Sequence, residues 1–212
     1  MADPGFFVVV EGPEGAGKST LVRGLAARMA ALGLPVLTVR EPGGTVAAEA
    51  LRTELLSDAR TWTPEAELLY IAAARADLVA KVIRPALAAG EVVLSDRFEL
   101  STQAYQIAGR GLPAEQANWV NRAATGGLGP DVTLVIDLPP GVGRQRQLDN
   151  GKHGDRLDRE PAEFHRRVAD YYSQASGPGV SHLDGAVTAE QLLDQAWSTL
   201  GSARPDLFAR ER

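Results

Sequence analysis

Residues 12–19, Gly12-Pro13-Glu14-Gly15-Ala16-Gly17-Lys18-Ser19, fit the pattern G-x-x-x-x-G-K-[ST] of the phosphate-binding P-loop. The pattern carries weight only between a strand and a helix, and both flanks are present. Phe6-Phe7-Val8-Val9-Val10 precedes it as an apolar run, and Leu21, Val22, Leu25, Met29 and Leu32 follow at helical spacing. Gly12, Gly15 and Gly17 let the backbone turn its N–H groups inward without Cβ clashes, and the new helix adds its positive end. Lys18 is expected to reach the β- and γ-phosphates of a nucleotide, and the Ser19 hydroxyl to ligate Mg²⁺. Residues Gly12, Pro13, Glu14, Gly15, Ala16, Gly17, Lys18, Ser19 and Thr20 form the expected nucleotide-phosphate cradle. The plainer reading is a glycine turn with a chance Lys-Ser. At average composition that accident befalls roughly one chain of this size in a hundred, and requiring both flanks makes it rarer.

At 212 residues the chain suits one α/β domain over 1–212 with a sizeable core. Its net charge of −5 argues against nucleic acid as a partner. Without cysteine there is no disulfide, thiolate metal site or cysteine nucleophile, and His153, His165 and His182 lack metal-ligand spacing. Met1-Ala2-Asp3-Pro4-Gly5 leaves no room for a signal peptide, and no apolar stretch approaches a membrane span. A soluble cytoplasmic protein with no membrane partner is the expectation.

A helix should run from Lys18 to about Leu32 and stop at Gly33. Val36–Val39 reads as a buried strand ending in the turn cluster Arg40-Glu41-Pro42-Gly43-Gly44, and helical spacing returns from Thr45 to about Ser57. Thr63 and Pro64 cap a long helix from Glu65 to about Ala89, bent near Pro85. Val92–Leu94 is the third strand, with Ser95-Asp96-Arg97 at its carboxyl end. Leu100–Ile107 and Pro113–Ala124 read as helices, Val132–Asp137 as the fourth strand, and Pro139-Pro140 as the start of a helix fading near Leu148. Residues 149–161 are charged, glycine-bearing and poor in apolar residues, and read as a mobile flap. A helix over Ala162–Ser173, a strand at Val180–Leu183 and a helix over Ala189–Leu200, with Thr188 and Gln191 as a capping box, complete the chain; the tail after Ser202 is expected to fray. Strands alternating with helices give an α/β fold: a five-stranded parallel sheet with helices on both faces. Ligands of such sheets sit beyond the carboxyl ends of the strands, where the P-loop, the Arg40–Gly44 turn and Asp96-Arg97 all fall.

Beside a P-loop, Asp96 is placed to hold Mg²⁺ water and Arg97 to grip a second phosphate, since its planar fork fits phosphate bidentately. The order of motifs then becomes selective. Val10 to Ser19, Arg40-Glu41-Pro42-Gly43-Gly44-Thr45, Asp96-Arg97-Phe98-Glu99-Leu100-Ser101-Thr102-Gln103-Ala104-Tyr105-Gln106, Gly109-Arg110-Gly111 and Asp155-Arg156-Leu157-Asp158 together resemble bacterial thymidylate kinase, from Phe6 to about Leu200. The resemblance implies a P-loop NTPase fold with a short lid over about 149–161, a homodimer, and Mg²⁺-dependent transfer from ATP to dTMP, giving ADP and dTDP. It assigns Glu14 to the sugar 3′-hydroxyl, Arg97 to the dTMP phosphate with Arg52 nearby, and Arg75 to thymine O4. Ser101, Tyr105 and Gln106 would line base and sugar.

The family commonly has Phe or Tyr stacking on thymine four residues before the Arg75 position. Here that position is Ile71, with Tyr70 about 100° away around the helix. Either Ile71 packs on the base or the helix is irregular there. Among the flap's basic residues (Arg144, Arg146, Lys152, Arg156 and Arg159), Arg156 matches the lid arginine of the bacterial subtype. In that subtype the Gly15 position lacks the P-loop arginine of the other branch. Asp155 and Asp158 are expected to hold the Arg156 guanidinium. Lys18, Arg97 and Arg156 are thus the expected catalytic residues. Another nucleoside monophosphate kinase would differ in the pocket of Arg75 and Ser101–Gln106. A GTPase lacks support because no Asn-Lys-x-Asp motif is present, and a silent binding protein would be expected to have lost Lys18, Asp96, Arg97 or the lid arginine.

Overall fold

In the computed structural model, residues 5–139, 141–149 and 154–208 are described, without the side chains of Arg144 and Leu148. The expectations on Met1–Pro4, Pro140, Lys152, His153 and the end of the tail lie outside these residues. Five strands, β1 (Phe6–Glu11), β2 (Val36–Arg40), β3 (Val92–Asp96), β4 (Val132–Asp137) and β5 (Val180–Asp184), form one sheet in the order β2-β3-β1-β4-β5. Every pairing is parallel. Central β1 is buried along its whole length, which is why it reads as a continuous apolar run rather than an alternating one. Val8 and Val10 point into one core with Leu25, Met29 and Leu200, while Phe7 and Val9 point into the other with Leu78, Ile83 and Phe98.

The helices are α1 (Lys18–Ala31), α2 (Val46–Leu56), α3 (Pro64–Leu78), α4 (Arg84–Ala88), α5 (Glu99–Thr102), α6 (Ala114–Thr125), α7 (Val142–Asp149), α8 (Ala162–Ser173), α9 (Ala189–Ala203) and α10 (Pro205–Phe208). Thr45 and Thr63 cap α2 and α3 through their hydroxyls, and Thr188 with Gln191 forms the capping box of α9. Two wide, π-type turns depart from expectation. One, Val79–Ile83, joins α3 to α4, so the irregularity comes ahead of Pro85. Pro85 has no N–H, and its ring crowds the carbonyl four residues back; the widened turn accommodates both. The other, Gln103–Gly109, follows α5 and replaces the second half of the expected Leu100–Ile107 helix.

The tail also departs from expectation. It does not fray after Ser202, because α10 folds Phe208 back onto the sheet. Phe208 is buried, with its ring 5.8 Å from Phe6 and 5.5 Å from Trp197, and the Arg204 guanidinium lies over Phe6. One aromatic anchor after a proline suffices to dock a short terminal helix.

Candidate active site

The register sets Val10 and Arg40 level with Asp96, so the ends of β1, β2 and β3 open together into a cleft of about 660 Å³. On its floor the P-loop residues Glu14 to Thr20 line one side, whereas Gly12 and Pro13 lie behind it. Their carbonyls accept from Lys18 Nζ at 3.0 and 2.8 Å. Burial, together with nearby Arg97, draws the Lys18 ammonium down to about 8, although Glu14, Asp96 and Glu11 oppose this. Ser19 Oγ donates to Asp96 Oδ2 at 2.6 Å. These two oxygens suit a hard cation that also takes phosphate and water ligands. Among the described residues no group of three or more His, Cys, Asp or Glu forms a protein-only metal cage.

Arg97 occupies the centre. Its φ of 77° is the one left-handed backbone among the described non-glycine residues, a strained conformation at the mouth of a site. Nη1 donates to Ser101 Oγ and Tyr172 Oη, both at 3.1 Å, and Nη2 donates to Glu14 and to Tyr105 Oη. Burial works against ionised Glu14, yet Arg97, Lys18 and the Tyr105 hydroxyl outweigh it and bring the carboxyl down to about 2. Burial pushes the Tyr105 hydroxyl up, so it stays a neutral donor and acceptor. The Tyr105 ring packs on Phe164 and Tyr172 while its hydroxyl reaches Arg97 and Glu14. Arg52 also lines the cleft and donates to the Pro42 carbonyl at 2.8 Å.

Glu11 was given no role by the sequence reading. It is fully buried and accepts from Phe98 N–H (2.8 Å), Ser101 N–H (3.1 Å), Ser101 Oγ (2.7 Å) and Tyr172 Oη (3.0 Å). It thereby holds the start of α5 and two partners of Arg97. The available signal was a carboxylate closing an otherwise apolar strand.

Farther along the cleft, Ile71, Arg75, Thr102 and Gln106 converge. α3 is regular through this stretch, Ile71 borders the cleft, and Tyr70 packs on Trp62 at 4.4 Å. Arg75 is buried, and its N–H groups are directed at Glu41, Thr102, Asn121 and the Phe98 carbonyl. Thr102, also not foreseen, lines the cleft beside Arg75 and accepts from its Nη1 at 2.9 Å. Gln106 Nε2 donates to Glu67 at 2.8 Å, while its Oε1 is buried without a partner.

The lid requires a correction. Asp155 and Asp158 do not orient Arg156. Asp155 Oδ1 accepts from Leu157 and Asp158 N–H, and Asp158 Oδ2 accepts from Asp155 N–H, so both carboxylates cap their own turn. Arg156 instead donates to the Leu55 carbonyl at 3.1 Å and to Glu67 at 2.6 Å. Arg159 pairs with Asp58. Of the basic residues with described side chains in this stretch, Arg146 is the one lining the cleft, with a bond to the Gly185 carbonyl at 3.0 Å. Gly15 also gains a reason: with φ at 72°, it presses against the backbone of Gly143 in α7, where a Cβ would collide.

The profile of the thymidylate kinase family, described as "Thymidylate kinase", matches residues 10–193. Full-length relatives agree. The chain is 45% identical over 206 residues to a thymidylate kinase of Synechococcus sp., covering 96% of this chain and 97% of that protein. It is 44% identical over 208 residues to one of Cereibacter sphaeroides (94% and 96%), and 44% over 210 residues to one of Pseudomonas fluorescens (98% and 99%).

Proposed function

We infer from the thymidylate kinase family, to which this chain belongs, that the cleft transfers the γ-phosphoryl group of ATP to dTMP, giving ADP and dTDP. ATP lies on the P-loop with Lys18 at its β- and γ-phosphates. Ser19 and Asp96 would hold Mg²⁺, which would supply positive charge for the phosphates there. Arg97, with Arg52 behind it, takes the acceptor phosphate. Its ties to Glu14, Ser101, Tyr105 and Tyr172 fix the fork before substrate arrives, which is how a positioning group contributes to rate. Glu14, ionised through any ordinary pH, accepts from the 3′-hydroxyl. Ile71 packs on the base. Arg75 faces O4, which would replace one of its internal acceptors.

What supports thymine over cytosine is Gln106. Its amide is oriented by Glu67, which can only accept, so the free atom is an oxygen. Thymine offers an N3–H to such an acceptor, whereas the unprotonated N3 of cytosine offers only a lone pair. A polar group left unpaired on mismatch gives strong discrimination, far beyond what the 5-methyl alone supplies. An assay of ADP release across the common monophosphates tests this. dTMP should be preferred and dCMP rejected; dTMP no better than AMP or dCMP would overturn it.

The homodimer rests on the family resemblance, and the exposed Trp119 on α6 and Leu69 on α3 support it. Sedimentation of Trp119→Glu should show a shift to monomer. No described helix is long and apolar enough to cross a membrane. The nucleotide substrates make the cytoplasm the proposed compartment.

A further inference from the structure

Glu67 lies on α3 and is buried, yet it is not expected to touch either nucleotide. Its Oε1 accepts from Gln106 Nε2 at 2.8 Å and from Arg110 Nε at 3.1 Å. Its Oε2 accepts from Arg110 Nη2 at 3.0 Å and from Arg156 Nη2 at 2.6 Å. Arg110 is also paired with Glu160 at 2.7 Å, so two cations and two carboxylates balance. A buried carboxylate persists only with such company. Burial opposes its ionised form, but the hydrogen bonds from Arg110, Arg156 and Gln106 prevail and hold it below its ordinary range.

The consequence concerns the amide. A side-chain amide is nearly symmetric in shape, and its two ends differ only in whether they donate or accept. Left alone, Gln106 could face the cleft with either end. A carboxylate that cannot donate removes that freedom.

We propose that Glu67 is a positioning residue for base selection, fixing the Gln106 amide so that its oxygen is left for the base, while the same carboxylate anchors the lid through Arg156. Acceptor choice and lid seating thus share one charge. The proposal rests on the thymidylate reading. Should that reading fail, the unmodified protein itself shows no preference for dTMP; should only the role of Glu67 fail, the preference stands and is insensitive to position 67.

The test is Glu67→Gln, an isostere whose amide can donate as well as accept. Steady-state kinetics with dTMP and dCMP should show the kcat/KM ratio falling by about tenfold or more, mainly through a higher KM for dTMP. In a Gln106→Met background, Glu67→Gln should leave the ratio unchanged, because the group it orients is gone. An equal loss toward both acceptors, or the same ratio change with and without Gln106, would overturn the proposal. Glu67→Gln leaves Arg110 and Arg156 short of a partner, so the exchanged pair Glu67→Gln/Gln106→Glu keeps the charge in place. In that pair the amide at position 67 donates, and the carboxylate at position 106 has an oxygen left for the base. Recovery of dTMP preference supports the proposal; a folded pair without recovery refutes it.

Discussion

Ser19 Oγ lies 2.6 Å from Asp96 Oδ2, so the first helical turn after the P-loop and the end of β3 are joined through the two groups suited to one cation. The parallel register of β1 and β3 creates that proximity, because Val10 pairs with Asp96 just before the chain enters the loop. Asp96→Asn should lower kcat by about 10²-fold or more and raise the Mg²⁺ concentration for half-maximal rate. A Mg²⁺ titration of ADP release measures both.

Lys18 titrates where few lysines do. With the ligand-free group near 8, ATP affinity should fall about tenfold between pH 7 and pH 9, as the neutral amine loses its hold on phosphate. Stability runs the other way. The folded form releases this proton before the unfolded chain, ordinarily near 10.5, so Lys18 contributes more favourably as pH rises from about 8 to 10.5. Lys18→Met should remove both trends, while dTMP binding by calorimetry stays within tenfold of the parent because other elements build that site.

Glu14 gives the acid limb. Its folded value near 2 lies below the ordinary 4.5, so its contribution is fully present above 4.5 and is lost as pH falls toward 2. Urea unfolding at pH 3 and pH 6 should show a smaller pH difference for Glu14→Gln than for the parent. Equal differences would mean that Arg97 does not hold this carboxylate.

Arg146 and Arg156 should separate kinetically. Arg146→Ala is expected to lower kcat by about 10²–10³-fold with little change in KM for dTMP, the signature of a contact made in the transition state. Arg156→Ala, acting through Glu67, should raise KM for dTMP and leave kcat within about tenfold. The reverse ranking would require Arg156 to leave Glu67 in the reacting state.

Phe208→Ala should cost about 3 kcal/mol of stability, since it empties an aromatic site shared with Phe6 and Trp197. Denaturant unfolding followed by circular dichroism measures it. Turnover of the folded fraction should be unaffected, because α10 packs on the face served by α1 and α9.

The sheet and the P-loop were legible because they follow local rules: apolar runs, glycine punctuation and hydroxyl caps act within a few residues. The individual sites of Lys18, Ser19, Asp96 and Arg97 followed from position at strand ends. Glu11 and Glu67 were not legible as site builders, since their partners stand as far as Tyr172 and Arg156 along the chain, and a buried carboxylate looks like a surface one in sequence. The error over Arg156 had the same source. Neighbouring acids in sequence served the backbone of their own turn, and the guanidinium found a carboxylate on another helix. The tail was expected to fray, while one phenylalanine, Phe208, decides its course.

Gly15 and Gly143 bear on how this chain can change. A side chain at position 15 meets the backbone of α7, and one at position 143 meets the Glu14 carbonyl. The two positions are therefore epistatic: an arginine cannot enter the loop by a single substitution while α7 keeps its seat. A hybrid assembled from segments of an arginine-bearing relative would inherit the same conflict. The loop and the entry to α7 have to be taken from one parent.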